Sequence, residues 1–173
     1  MADVDQWACE LGEAIAHTIS AHSAFANADD DKVRFWDRRT PYAVHPIWCA
    51  MTLLTETRLP AAIRERGYLA LLWHDVLEDT RLGLPTTTSE VRSLVEAMTF
   101  ASFAEEKARV WEASDEVKLL KLYDKVSNLL DASWMSAGKR ADYVEHTQRL
   151  AALVRSRFGE LNITRIADAI CRG

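Results

Sequence analysis

Glycine and proline are scarce in this chain, six and four residues among 173. That scarcity removes most of the turn chemistry that a β-rich or loop-rich fold depends on. Alternating apolar and polar runs bounded by Asn-Gly or Gly turns are also missing, so strands have little support. Only three cysteines are present, Cys9, Cys49 and Cys171, widely spaced and without a Cys-x-x-Cys pair. This argues against a disulfide framework and against a thiolate zinc site, and predicts reduced thiols. A basic excess is absent as well: the net charge is −5, which excludes the broad cationic surface a nucleic-acid polymer requires but leaves a small anionic ligand open. No apolar run approaches the roughly 20 residues that span a bilayer, and Met1-Ala2-Asp3-Val4-Asp5 lacks the basic and apolar regions of a signal peptide. The expectation is a cytoplasmic protein that does not engage a membrane.

What is present is the composition of a globular domain, 49% apolar and 27% charged. A chain of this length can bury about 70% of its unfolded surface in one core, so residues 1–173 are expected to form a single domain. Helical spacing recurs throughout. Leu11, Ile15 and Ile19 follow Trp7 on a first helix of about five turns, ended near Asn27 to Asp31, after which a charged loop carries Arg34, Arg38 and Arg39 to Pro41-Tyr42. Pro46 places His45 at a helix N-terminus, with Ile47, Met51 and Leu54 beyond. A short segment around Ile63 precedes a helix from about Tyr68 to Asp79, with core face Leu69, Leu72, Trp73, Val76 and Leu77. Thr87 and Glu90 have capping-box spacing ahead of Val91, Leu94, Val95 and Met98. Ser114 can cap a long helix whose stripe Leu119, Leu122, Val126, Leu129 and Leu130 is interrupted by Asp124, Asn128 and Asp131. Gly138 and Gly159 bracket a further helix, and Asn162 can cap the last. The predicted architecture is an all-α, compact orthogonal helical bundle.

The chemistry concentrates in Leu71-Leu72-Trp73-His74-Asp75-Val76-Leu77-Glu78-Asp79-Thr80. A buried imidazole beside a buried carboxylate is costly unless both are hydrogen-bonded, paired or bound to a cation. Residues four apart on a helix share a face, so Glu78 joins His74, with Asp75 and Asp79 beside them. A mixed imidazole and carboxylate set suits a divalent first-row metal such as manganese, iron or zinc. His74 and Asp75 cannot complete such a site alone, and His45 and Asp124 are the best further ligands. The remaining histidines, His17, His22 and His146, are more simply packed or solvated residues. Cys49, one turn after His45, is a weaker candidate nucleophile. Trp36 and Phe35 could stack on a base or plug the core.

Three segments carry a family resemblance. Thr40-Pro41-Tyr42-Ala43-Val44-His45-Pro46 is similar to a PYxxHP start, Leu71 to Thr80 to an LLHDxxEDT core, and Lys121-Leu122-Tyr123-Asp124-Lys125-Val126-Ser127-Asn128-Leu129 to a KLADxxxNL helix. In order and spacing the chain resembles the HD-domain metal-dependent phosphohydrolases, and within them the hydrolase domain of RelA/SpoT proteins and the small stand-alone animal hydrolases related to SpoT. The resemblance implies an HD-type bundle with a divalent metal, manganese by preference, held by His45, His74, Asp75 and Asp124. It implies catalytic assistance by Glu78 and Asp79, and nucleotide contact by Asn128 and by a basic residue ahead of Pro41, Arg38 or Arg39. Tyr42 and Lys121, both inside the motifs, join the substrate contacts. Lys118, Lys125, Lys139 and Arg140 add positive charge if they face the cleft. The glycine usual before the Pro-Tyr pair is missing, and Phe100-Ala101-Ser102-Phe103-Ala104-Glu105-Glu106 stands where relatives carry basic residues.

The expected activity is removal of the 3′-pyrophosphate from guanosine tetra- or pentaphosphate, the stringent-response alarmones, or from a close relative. Two other readings stay open: an HD-type hydrolase of another nucleotide or phosphomonoester, and a non-catalytic nucleotide sensor on the same scaffold. The expected partner is a small anionic nucleotide, and assembly into a homo-oligomer is left open.

Overall fold

The computed structural model describes residues 4–172, and side chains for all of these except 4, 5, 30 and 31. Among the described residues every regular element is helical, and only two isolated bridges occur, Ala26 with Thr80 and Val33 with Pro41. The α-helices are α1 (Val4–Ala24), α2 (Val44–Leu54), α3 (Ala61–Trp73), α4 (Val76–Asp79), α5 (Ser89–Met98), α6 (Phe103–Arg109), α7 (Asp115–Leu130), α8 (Ala137–Phe158) and α9 (Asn162–Arg172). Single 3₁₀ turns occupy Asp29–Lys32, Val110–Glu112 and Ala132–Trp134.

Helix α7 is the centre of the molecule, packing on α2, α3, α5, α8 and α9. Its residues Val117 to Ser127 are buried all round, as expected of a helix with neighbours on every side. Leu119, Leu120, Leu122, Tyr123 and Val126 meet Leu53 from α2, Leu71 and Leu72 from α3, and Leu150 and Val154 from α8. Gly67 lets α3 come close to α2 and α7: a Cβ there would meet Leu53 Cδ2 at 2.7 Å and Leu120 Cδ2 at 3.2 Å, so these side chains would have to shift. The amphipathic α5 buries Val91, Leu94, Val95 and Met98, each worth roughly 1.5–3 kcal/mol.

Several expectations need correction. The helix expected from Tyr68 to Asp79 begins earlier, at Ala61, and breaks at His74 and Asp75 before α4. The cause lies in the carbonyls of its last turn. The His74 ring Nδ1 donates to Leu71 O at 2.7 Å and Thr18 Oγ1 donates to Leu72 O at 3.0 Å, so side chains satisfy groups that a continuing helix would use. Ile19, Leu77 and Leu130, read as core positions, are exposed. The buried face of α1 is instead Ala14, Thr18, Ala21 and His22, small and polar residues that hydrophobic periodicity does not register. Caps differ too: Thr88 rather than Thr87 accepts from Val91 N, and Ser136 rather than Gly138 opens α8 by accepting from Lys139 N. Asn162 is the first residue of α9 rather than its cap, and Leu161 N ahead of it donates to Thr164 Oγ1. Ser114 caps α7 and Gly159, at φ 78°, ends α8, as expected.

Candidate metal centre

Three elements bring four side chains to one point. His45 comes from the first turn of α2, His74 and Asp75 from the break between α3 and α4, and Asp124 from the middle of α7. All four are buried. His45 Nε2 and His74 Nε2 are 3.2 Å apart. Asp75 reaches both, Oδ2 at 3.3 Å from His45 Nε2 and Oδ1 at 3.2 Å from His74 Nε2. Asp124 Oδ1 faces the same pair at 3.6 and 3.9 Å. One ligand atom from each of His45, His74 and Asp124 lies within 4.8 Å of the others, a cluster able to hold a metal ion.

Each member also has a hydrogen-bond partner outside the cluster, on the far ring nitrogen for the histidines and on an inward-facing oxygen for the carboxylates. Leu71 O can only accept, so His74 carries its proton on Nδ1 and turns the Nε2 lone pair inward when neutral. His45 Nδ1 lies 2.7 Å from Ser127 Oγ, which leaves its Nε2 facing the cluster. The Tyr42 hydroxyl donates to Asp75 Oδ2 at 2.8 Å, and Asn128 Nδ2 donates to Asp124 Oδ1 at 2.6 Å. The donor set fits a divalent ion for a simple reason. Imidazole nitrogens and carboxylate oxygens converge at 3.2–3.9 Å from one another, and a cation or shared protons relieve that crowding. Burial works to lower the His74 pKa, yet Asp75 and Asp124 lift it to about 9. The cluster therefore stabilises positive charge at its centre.

The centre opens into a cavity of about 340 Å³ whose lining includes Tyr42, Glu78, Asp79, Phe103, Asn128 and Tyr143. Glu78 sits at the open edge, where Oε1 accepts from Phe100 N at 3.1 Å. Desolvation and the Asp75 carboxylate push its pKa up to about 7, a value suited to moving protons near neutral pH. Lys121 also lines the cavity, with Nζ 2.6 Å from Asp124 Oδ2 and 2.9 Å from Glu106 Oε2. Lys125 repeats the pattern at 3.2 and 2.8 Å.

Of the residues singled out in the sequence, Tyr42, Asp75, Glu78, Asp79, Lys121, Asp124 and Asn128 line the cavity, and the His45 and His74 rings lie behind Asp75. Arg38 and Arg39 do not line it. Asp37 Oδ1 accepts from Arg39 N and Thr40 N, each at 2.9 Å, and Arg38 takes a left-handed φ of 55°. This turn leaves both arginines exposed. The basic residue of that loop at the cavity is Arg34, buried against Asp131 with Nε 3.2 Å from Oδ2 and donating to Ser127 O at 3.0 Å. Lys118 is buried without lining the cavity, and Lys139 and Arg140 lie outside the lining as well. Trp36 is exposed and bonded to Thr40 Oγ1, whereas Phe35 lines the cavity and packs on Trp134 with ring centroids 5.5 Å apart. His146 is packed, bonded to Glu106 Oε1 at 3.1 Å. His22 is buried against the Tyr42 ring, and burial lowers its pKa to about 4. Burial raises the Cys49 thiol well above its ordinary range, which disarms it as a nucleophile.

The sequence assigns no role to Ser127 or Tyr143, places Arg34 in the charged loop without a role of its own, and marks Glu106 only as part of the segment that stands where relatives carry basic residues. Ser127 carried a usable signal, three residues after Asp124 on the polar face that interrupts the α7 stripe. The others enter through loop or inter-helix geometry that local pattern does not encode.

No family model matches the chain, and no curated protein matches it either. A solved structure described as a metazoan ortholog of SpoT that hydrolyzes ppGpp and plays a role in starvation responses is similar to it over 92% of this chain and 92% of its own. The two share 22% of aligned residues with a TM-score of 0.67. They have the same all-α fold. Among the described residues no helix is long and apolar enough to cross a membrane.

Proposed function

We propose that this chain is a metal-dependent phosphohydrolase that removes the 3′-pyrophosphate from guanosine tetra- or pentaphosphate or a close relative, with manganese as its ion. The observation that carries the reading is the convergence of His45, His74, Asp75 and Asp124 beneath a cavity of about 340 Å³. The same fold occurs in a protein described as hydrolysing ppGpp, which supports the choice of substrate.

When bound, a divalent ion would offset charge on a phosphoryl oxygen and make water nucleophilic near neutral pH. The chain's own residues supply the rest. Tyr42 and Asn128 hold the Asp75 and Asp124 carboxylates by hydrogen bonds, which fixes their oxygens toward the two imidazoles. Glu78 accepts the proton of the attacking water at its carboxylate, a role its raised pKa allows. Asp79, the next residue of α4, also lines the cavity and assists in proton transfer. Asn128, Lys121 and Tyr42 contact the substrate, and since Arg34 rather than Arg38 or Arg39 lines the cavity it takes the role of the basic residue ahead of Pro41.

The test is a nucleotide panel with manganese-loaded protein. Release of pyrophosphate from guanosine tetraphosphate is the expected result. Release of phosphate from simple nucleotides alone would replace the substrate assignment, and tight binding without turnover, unchanged by Glu78→Ala, would mark a sensor.

A further inference from the structure

Among the described residues, three cations and six carboxylates line the cavity. Each of the cations already has an acidic partner. Arg34 is held by Asp131, and Lys121 and Lys125 are shared between Asp124 Oδ2 and Glu106 Oε2. Glu106 is the residue that decides this balance. It is 3% exposed, its Oε2 lies 2.9 and 2.8 Å from the two ammonium groups, and its Oε1 is fixed by His146 Nε2 at 3.1 Å. Asp124 alone would leave each lysine one anionic contact short. The aromatic neighbours, Phe100 beside Lys121 at 5.5 Å and Tyr143 beside Lys125 at 5.3 Å, offer ring faces rather than charge.

The position of this network gives it a function. Asp124 presents Oδ1 to the imidazole pair and Oδ2 to the lysines, so one carboxylate separates the metal centre from the two ammonium groups. A substrate with one phosphoryl group at the centre would bring a second, adjacent phosphoryl group to the lysines, where Glu106 already stands. We propose that Glu106 is the specificity-determining residue of this cleft, an internal anion that competes with the second phosphoryl group of a pyrophosphate-bearing ligand for Lys121 and Lys125. It sets how strongly the cleft favours a pyrophosphate over a single phosphate. The inference rests on the phosphohydrolase reading and names what that site selects.

The experiment compares inorganic pyrophosphate with inorganic phosphate by calorimetry, at a fixed free manganese concentration, on the full chain and on Glu106→Gln. Replacing the charge leaves two buried ammonium groups undercompensated, a deficit that an incoming anion repairs. Pyrophosphate affinity is expected to rise at least fivefold relative to phosphate affinity. Equal tightening of both ligands, or no change in a variant that folds and binds manganese, would overturn the proposal. Should Glu106→Gln fail to fold, Glu106→Asp withdraws the carboxylate by one methylene, and a relative gain of at least twofold is expected, with an unchanged ratio counting against the idea. Neither comparison needs turnover. Failure of the wild-type chain to hydrolyse guanosine tetraphosphate would remove the function proposed above while leaving this binding result to stand or fall alone.

Discussion

Asp75 contributes both carboxylate oxygens to the cluster, one toward each imidazole, so its loss cannot be covered by a neighbour. Asp75→Ala is expected to abolish manganese binding and activity together, read by metal analysis and the pyrophosphate assay. Glu78 behaves differently. Glu78→Gln is expected to keep the metal and lower turnover about 10²–10⁴-fold, the usual size of general acid–base assistance. Its pKa of about 7 also fixes a sign: activity requires the deprotonated form and so rises with pH through an apparent pKa at or below about 7, a nearby cation pulling it downward. That limb should vanish in Glu78→Gln. His74, Asp75 and Asp124 stand out in the sequence as polar groups in apolar helical stretches, and His45 as a polar group at the helix start marked by Pro46; the structure brings all four together. Arg34 does not stand out, since which arginine of that loop reaches the cavity depends on the turn that Asp37 closes by bonding to the Arg39 and Thr40 backbone amides.

Most helices could be read from spacing, because apolar residues recur at helical periods wherever one face is buried. The failures are informative. On α1 the buried positions are small or polar, so periodicity assigns Ile19 to the core and gives no sign of the contact Thr18 makes with Leu72 O. The break at His74 and Asp75 is equally silent in the sequence, since it arises from side chains on two helices bonding the carbonyls of Leu71 and Leu72. Helix α6 is too short for apolar spacing to mark it, although Ser102 caps it by accepting from Glu105 N. Two outcomes test the element-level account. Gly67→Val places carbon against fully buried Leu53 and Leu120 and should cost about 1–3 kcal/mol by overpacking, measured by denaturant unfolding. Ser127→Ala removes the partner of His45 Nδ1 on α7 and should weaken manganese binding about 10–100-fold, as loss of a ligand's orienting partner commonly does, with helix content unchanged.

At the scale of the whole molecule, the bundle is organised around a central helix whose buried length carries both core leucines and ionised groups. The metal-free protein should show this in its stability. His74 has a folded pKa of about 9, the effect of Asp75 and Asp124 exceeding that of burial, against an ordinary value of 6.5. Because the folded value is the higher, its stabilising contribution is complete below pH 6.5 and is lost as pH rises through 9. The loss is on the order of 3 kcal/mol, seen as a falling melting temperature over that window. Saturating manganese takes the place of the proton and should flatten the fall. The most direct measurement is an anomalous difference map from crystals of the protein grown with manganese. The account predicts one strong peak about 2.0–2.6 Å from His45 Nε2, His74 Nε2, an Asp75 oxygen and Asp124 Oδ1, and a map without a peak among those four atoms would contradict it.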